Sequence, residues 1–334
     1  MKFGNVLVGE AEGAVLAHGV KIEGASFKKG DVITPERQRL LTAAGVPSVV
    51  AARLEPDDVG ENEAAQRLAK RLMGANVRCS GPFTGRVNLF AEAAGLAAID
   101  AAAIDRINAI DEAITVATLP PYRAVAEGDM VATVKIIPFA TARFTLEGAL
   151  ETVERAGAIA VQPFEPLSIG VVSTLLPGLK ASVVAKTLRA FEARLKPMGA
   201  RIVADEAVPH EIEPLAAALK KIIGHAQAIV VFGASAITDR RDVIPAAIEA
   251  VGGRIERFGM PVDPGNLLLL AEVGATPVIG APGCARSPKE NGFDWVLQRV
   301  LAGVPTRDAD IRAMGVGGLL MEISSRPQLR APGE

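Results

Sequence analysis

From residue 167 to 301 the chain repeats one pattern: a short apolar run, a polar interruption, then an apolar stripe at helical spacing. The runs are LSIGVVSTL (167–175), ARIVADEAV (200–208), AQAIVVFG (226–233), RIERFGM (254–260) and TPVIGAP (276–282). They are β-branched and too short for helices, so they read as strands. Between them, Val184, Leu188, Phe191 and Leu195 form a stripe that stops at Gly199, IEPLAAALKKII (212–223) forms a second, and a short helix is expected over 246–250. After the last run, Phe293, Val296, Leu297, Val300 and Leu301 share a face, with Gly303 as the stop. A strand that is apolar throughout has no face to offer water. Both its faces must be covered, and helical connections are what parallel strands require. The expected fold is α/β: a three-layer, mostly parallel sheet with helices on both faces, spanning 166–325.

The first half lacks this rhythm. VKIEGASFKKGDVIT (20–34) carries turn chemistry at Gly24 and Gly30, and a helix capped by Thr34-Pro35-Glu36 should end at Gly45. VRCSGPFTGRVNLFAEAAG (77–95) reads as a hairpin around 82–85, and 114–139 as paired short strands, with helices over 58–73, 100–109 and 145–156. Residues 1–165 are therefore expected to form an α+β region with a β-rich subdomain. A boundary is expected near Pro163–Pro166, and 326–334 reads as a linker-like tail.

Composition excludes several classes of function. Hydrophobic residues make up 49% of the 334 and charged residues 22%, enough for packed cores. The net charge of -2, with basic residues scattered, disfavours binding to a nucleic-acid backbone, and aromatics at 4% disfavour base stacking. Cys79 and Cys284 stand far apart with no CxxC, so neither a disulfide framework nor a cysteine zinc site is indicated. The opening MKFGNVLVGEAEG does not read as a signal peptide, and no apolar run reaches the roughly 18 residues a membrane span needs. A cytoplasmic location without membrane attachment is expected.

Chemistry gathers where the apolar runs end. In an open parallel sheet, ligands bind beyond the carboxyl ends of the strands, where loops and helix N-termini present free N–H groups. Three segments there combine small residues, hydroxyls and cations. The first holds Ser173, Thr174, a Pro177-Gly178 turn and Lys180. The second is GASAITDRRD, with Gly233, Ala234, Ser235, Asp239, Arg241 and Asp242. The third is APGCARSPKEN, with Pro282, Gly283, Cys284, Arg286, Ser287 and Lys289. Such a set describes an anion cradle suited to a phosphorylated ligand. Asp239 and Asp242 would repel phosphate unless Mg²⁺ bridges them, since that ion is held by one or two carboxylates plus ligand phosphates. The alternative is an exposed loop whose acids and arginines pair with each other, at about 0–1 kcal/mol per pair. Cys284 reads either as a reactive thiol or as a small packed residue. His210 and Glu211 either cap the helix that follows or reach the same strand-end edge, capping alone being the favoured reading, and no GxGxxG is present.

The span 167–304 resembles the molybdopterin-binding family that includes molybdopterin adenylyltransferase and molybdopterin molybdotransferase. Two motifs carry the resemblance: Gly233-Ala234-Ser235-Ala236 leading to Asp242-Val243-Ile244-Pro245, and Ala281-Pro282-Gly283-Cys284 with Ser287. In the first half, LAHGVKIEG, FKKGDVITPE, VNLFAEAAGL and ATLPPYRAVAEGDMVATVKIIP are similar to the N-terminal region of one branch. The resemblance implies a site for the pterin dithiolene and its phosphate at the strand ends. It implies that Gly233, Ser235, Asp242, Pro282, Gly283 and Ser287, with Ser173 and Thr174, form the cradle, and that Asp242 is the catalytic and magnesium-holding position of active relatives. The chain departs from the family in two places. Ala234 stands where relatives carry a second glycine, which predicts a less close backbone approach. Val208-Pro209-His210-Glu211 stands for a V-P-D-D segment, which removes an acid of the adenylyltransferase site.

Two readings follow. In one, the chain binds molybdopterin or the finished molybdenum cofactor and presents it to a nucleotidyltransferase domain or protein. In the other, it is a Mg²⁺-dependent enzyme that inserts molybdate or transfers an adenylyl group. The changed acid favours the binding module. Oligomeric state is left open, with the apolar, aromatic-poor first half offering a surface for a second copy.

Overall fold

The computed structural model describes residues 1–153, 157–178 and 181–322. Lys180 and the tail 326–334 lie outside them. The chain divides into two compact units, one of Met1–Ala93 with Ala97–Val161, the other of Ala94–Leu96 with the chain from Gln162 onward.

The first unit is α+β. Lys2–Leu7 and Val15–Leu16 flank Ser48–Arg53 in an antiparallel sheet, with the helix Pro35–Ala43 capped by the Thr34 hydroxyl; Leu16, Ile33 and Leu41 are buried in this core. A second core lies on a four-stranded antiparallel sheet of Ile114–Thr118, Met130–Ile136, Arg86–Ala91 and Val77–Cys79. The helix Glu61–Leu72 contributes Leu68 and Leu72 to that core. This helix begins later than its sequence pattern suggests, because Asp58–Gly60 is drawn into strand pairing with Ala140–Ala142.

The second unit is the three-layer α/β fold. Its six-stranded sheet runs, edge to edge, Arg201–Pro209, Ser168–Leu175, Ala228–Phe232, Thr276–Ala281, Leu269–Val273, Arg254–Phe258. The first four are parallel; Leu269–Val273 pairs antiparallel with both its neighbours, so Arg254–Phe258 runs in the direction of the first four. The continuous apolar strands are explained by the two layers that cover them. Ala228, Val230 and Phe232 point into a core with Phe191 and Leu195 of the helix Ala181–Leu195 and with Phe293, Val296 and Leu297 of the helix Gly292–Leu301. Ile229 and Val231 point the other way, onto Leu215, Leu219 and Ile222 of Ile212–Ile223 and onto Ile244 and Ile248 of Val243–Ala250. Phe191, Phe232 and Phe293 meet with ring centroids 5.5–6.4 Å apart. Such pairs add about 0.5–1.5 kcal/mol beyond the area they bury.

Leu269–Val273 has no counterpart in the sequence reading. It returns into Thr276–Ala281 through Gly274-Ala275, a two-residue hairpin with Gly274 at φ 60°. The helix Val243–Ala250 also starts earlier than expected, capped by Asp242 and with Pro245 in its first turn, where the missing N–H costs nothing.

Candidate ligand site at the strand ends

Ser173 pairs with Phe232, and Phe232 with Ala281, so the three parallel strands end side by side and their loops begin as neighbours. The second loop is fastened to the first and third. Ala234 N–H donates to Thr174 Oγ1 (2.8 Å), and Arg286 Nη2 donates to the Gly233 carbonyl (2.9 Å). Gly233 is needed for contact, not for an unusual backbone angle: a Cβ there would lie 2.7 Å from Ser235 O and 2.8 Å from Ile244 Cδ1. Ala234 is not among the residues at positive φ, so alanine imposes no strain at that position.

A pocket of about 590 Å³ opens at this edge. Pro282, Gly283, Cys284, Arg286, Ser287 and Pro288 form one wall and residues 263–267 another, with Lys186 and Ala236 completing the lining. The segment 263–267 had no sequence signal of its own beyond Asp263-Pro264-Gly265-Asn266, a turn composition. Gly265 sits at φ 140°, and a Cβ on it would lie 2.8 Å from backbone atoms of Gly292, so only glycine lets this wall pack against the start of the helix Gly292–Leu301.

The third loop is held from beneath by a cation that sequence reasoning assigned no role. Arg194, on the helix Ala181–Leu195, donates to Asp294 and to the carbonyls of Ala285 (2.7 Å), Ser287 and Lys289 (3.4 Å). Both partners of the Arg194–Asp294 pair are about nine-tenths buried. Burial raises the Asp294 carboxyl above its usual range, and Arg194 opposes the shift. Asn291, fully buried, caps the next helix in a reciprocal box with Asp294 and donates to the carbonyls of Lys289 (2.9 Å) and Cys284 (3.4 Å). Satisfying that many loop carbonyls from below fixes the upper surface that lines the pocket.

Arg286 is the charged group on that surface. Its guanidinium is half-buried, packs 5.8 Å from the Phe232 ring centroid and bonds Gly233 O, yet Nε is buried with no partner. Burial lowers its pKa. Among the described residues no carboxylate pairs with it. The pocket wall thus carries a partly desolvated cation, with the acid Asp263 also in the lining, and such a cation suits an anionic group. Cys284, also in the wall, is half-buried, with its thiol pushed up to about 11 by burial and its Sγ 3.7 Å from Asn291 Oδ1; the packed reading suits it better than the reactive one.

The other residues singled out from sequence sit around this pocket in different states. Ser173 and Thr174 are buried at the strand end. Ser235 is exposed beside Ala236. Asp239 and Arg241 pair with each other in solvent, Nε to Oδ1 at 2.8 Å, which lowers the Asp239 carboxyl and raises the guanidinium. Asp242 accepts from Val243 N–H (2.7 Å) and Thr238 N–H (3.3 Å) and does not line the pocket. The Lys289 ammonium reaches the Glu322 carbonyl at 3.4 Å. Among the described residues no group of three or more His, Cys, Asp or Glu could hold a metal ion, and no helix is long and apolar enough to cross a membrane.

Residues 169–303 match a family model described as a probable molybdopterin binding domain. No curated protein matches the chain. Similar solved structures include a molybdopterin biosynthesis MoeA protein from Pyrococcus horikoshii (14% identity, 74% of this chain and 81% of that one, TM-score 0.31). A molybdenum cofactor biosynthesis protein from Pyrococcus furiosus is another (12%, 92% and 66%, TM-score 0.26). A third is the molybdopterin biosynthesis enzyme MoaB from Thermus thermophilus (14%, 42% and 98%, TM-score 0.30). Residues 169–303, which hold the parallel strand ends and most of the pocket wall, are thus similar to the molybdopterin-binding domain family.

Proposed function

We propose that the second unit binds molybdopterin, or the finished molybdenum cofactor, in the strand-end pocket during cofactor biosynthesis and presents it to a nucleotidyltransferase. The observation that carries this reading is Arg286, a half-buried guanidinium with no carboxylate bonded to it among the described residues, in the lining of a pocket of about 590 Å³ that also includes Asp263, within a segment that matches this family. The ligand is a pterin that carries a phosphate, and the pocket lies within the roughly 300–1,000 Å³ usual for small-molecule sites. Arg286 is the group we assign to the phosphate, with Lys186 as a second cation at the lining. Pro282 and Gly283 supply a wall without side-chain bulk. Backbone N–H groups of the second loop and the Ser235 hydroxyl are the neighbouring donors.

Asp242 fits a structural task better than a catalytic one. Both its oxygens already accept backbone N–H groups, and it offers magnesium one engaged carboxylate where the ion takes one or two plus ligand phosphates. The reading therefore uses no magnesium. Anaerobic titration of the purified protein with molybdopterin, followed by addition of MgATP and molybdate, tests it. Saturable binding without turnover is expected. Turnover that disappears in Asp242→Asn would instead make the chain an enzyme of the same pathway.

A further inference from the structure

His210 stands where the resemblance leads one to expect an acid, and it does more than end a strand. Its backbone N–H donates to Leu175 O (2.9 Å), which brings the imidazole over the neighbouring strand end. There Nδ1 lies 2.8 Å from Thr174 Oγ1 and Nε2 3.2 Å from Ser235 Oγ. The direction of this chain follows from counting hydrogens. Thr174 is 1% exposed, so its hydroxyl hydrogen has no water to bond and needs an acceptor. Thr174 Oγ1 already receives Ala234 N–H at 2.8 Å, and the remaining contact of that oxygen among the described residues is His210 Nδ1. The hydroxyl therefore donates to Nδ1, and Nδ1 carries no hydrogen. The ring hydrogen is then on Nε2 and is donated to Ser235 Oγ.

We propose that His210 is a positioning residue that turns Ser235 into a fixed hydrogen-bond donor: the chain runs Ala234 N–H to Thr174, Thr174 O–H to His210, His210 N–H to Ser235, and Ser235 O–H outward to an oxyanion of the ligand. The same accounting argues against a serine nucleophile, because Nε2 bears the hydrogen and has no lone pair with which to take the hydroxyl proton. It also sets the chemistry of the group served. With one lone pair of Ser235 Oγ taken by His210, its hydrogen remains free to donate, which suits a phosphate oxygen that accepts and has nothing to donate. Ser235 adjoins Ala236 of the pocket lining, and Gly233, two residues before it, is tied to Arg286, so the donor and the guanidinium share one rim. The identity of the phosphate as that of molybdopterin rests on the function proposed above; the hydrogen-bond chain does not.

The experiment uses the full chain labelled with ¹⁵N at its three histidines. The two-bond ¹H–¹⁵N pattern of His210 is expected to show Nε2–H with a bare Nδ1, and Thr174→Val is expected to convert it to a mixture of tautomers. An Nδ1–H ring in the wild type overturns the proposal. Binding of molybdopterin is then measured in Ser235→Ala, His210→Asn and the double variant. The asparagine keeps an acceptor for Thr174 and lacks the donor to Ser235. Each single change is expected to weaken binding about tenfold, the size of one ordinary hydrogen bond, and the double change by no more than Ser235→Ala alone. Wild-type affinity in His210→Asn, or effects that multiply, overturns it. If the wild type does not bind molybdopterin, inorganic phosphate replaces it as the probe. A His210 Nε2 shift on phosphate addition that is lost in Ser235→Ala supports the relay while the pterin reading fails, and no response to either ligand overturns both.

Discussion

Replacing Arg286 by methionine keeps much of the side chain's length and apolar stem while deleting the guanidinium, and it should move stability and affinity independently. Without ligand, the change removes one hydrogen bond to Gly233 O, worth about 0.5–1.5 kcal/mol, and a cation–π contact with Phe232 of about 0.5–2 kcal/mol. Against this it relieves a buried, unpartnered Nε, a cost of about 1–3 kcal/mol, together with desolvation of the rest of the cation. The two sides nearly cancel, so the unliganded variant should unfold within roughly 1 kcal/mol of the wild type. Binding has no such compensation. A charge-assisted bond to phosphate contributes about 1.5–3 kcal/mol, so the dissociation constant should rise roughly 10- to 150-fold. Arg286→Lys should recover only part of this, because an ammonium cannot copy the planar fork. Denaturant unfolding and anaerobic titration with molybdopterin, on the same preparations, read the two quantities. A variant that unfolds several kcal/mol more easily, or one that binds as tightly as wild type, would refute the assignment of Arg286 as a ligand anchor.

Other predictions concern the groups beneath and beside the pocket. Arg194→Met leaves Asp294 buried without its partner and frees three loop carbonyls; a loss of about 3–5 kcal/mol in denaturant unfolding is expected, and a loss under about 1 kcal/mol would show the loop to be held by something else. Because the folded Asp294 carboxyl is raised above its unfolded value near 3.9, the folded chain binds the extra proton, and this group's contribution to stability falls as pH rises from about 4 through the raised value. Asp294→Asn should remove that segment of the pH–stability profile, and an unchanged profile would contradict the burial argument. With its thiol at about 11, Cys284 should alkylate at pH 8 roughly 200-fold more slowly than a free thiol of pKa about 8.5; labelling at the free-thiol rate would place it in solvent.

Much of the second unit was legible in the sequence because burial on two faces leaves an unmistakable trace. Ala228–Phe232 is apolar at every position, and only coverage by helices on both sides allows that. Strand direction leaves no such trace. The run Leu267–Leu270 would read the same in a helix or a strand, so Leu269–Val273 and its antiparallel pairing emerged only in the fold. The helix start at Val243 was obscured by Pro245, a residue that breaks helices in their interior and is harmless in their first turn. At the site, glycine turns and hydroxyls marked the strand-end loops, since their chemistry is local. Arg194 carries no local mark: it comes from a helix far upstream of its partner Asp294, and its task appears only when Ala181–Leu195 packs under the third loop. Charge density drew attention to Asp239 and Arg241, whose i,i+2 spacing lets them bond each other in solvent. The relay through His210 was likewise hidden, because Thr174, His210 and Ser235 come from three separate segments.

The cofactor content of freshly isolated protein bears on the whole account at once. The full chain, purified from a host that makes molybdopterin and then oxidised, should release the fluorescent pterin derivative in an amount approaching one per chain, and Arg286→Met prepared in parallel should release little. Wild-type protein that carries no pterin and shows no saturable binding when molybdopterin is added would contradict the claim that the strand ends of this domain form its ligand site.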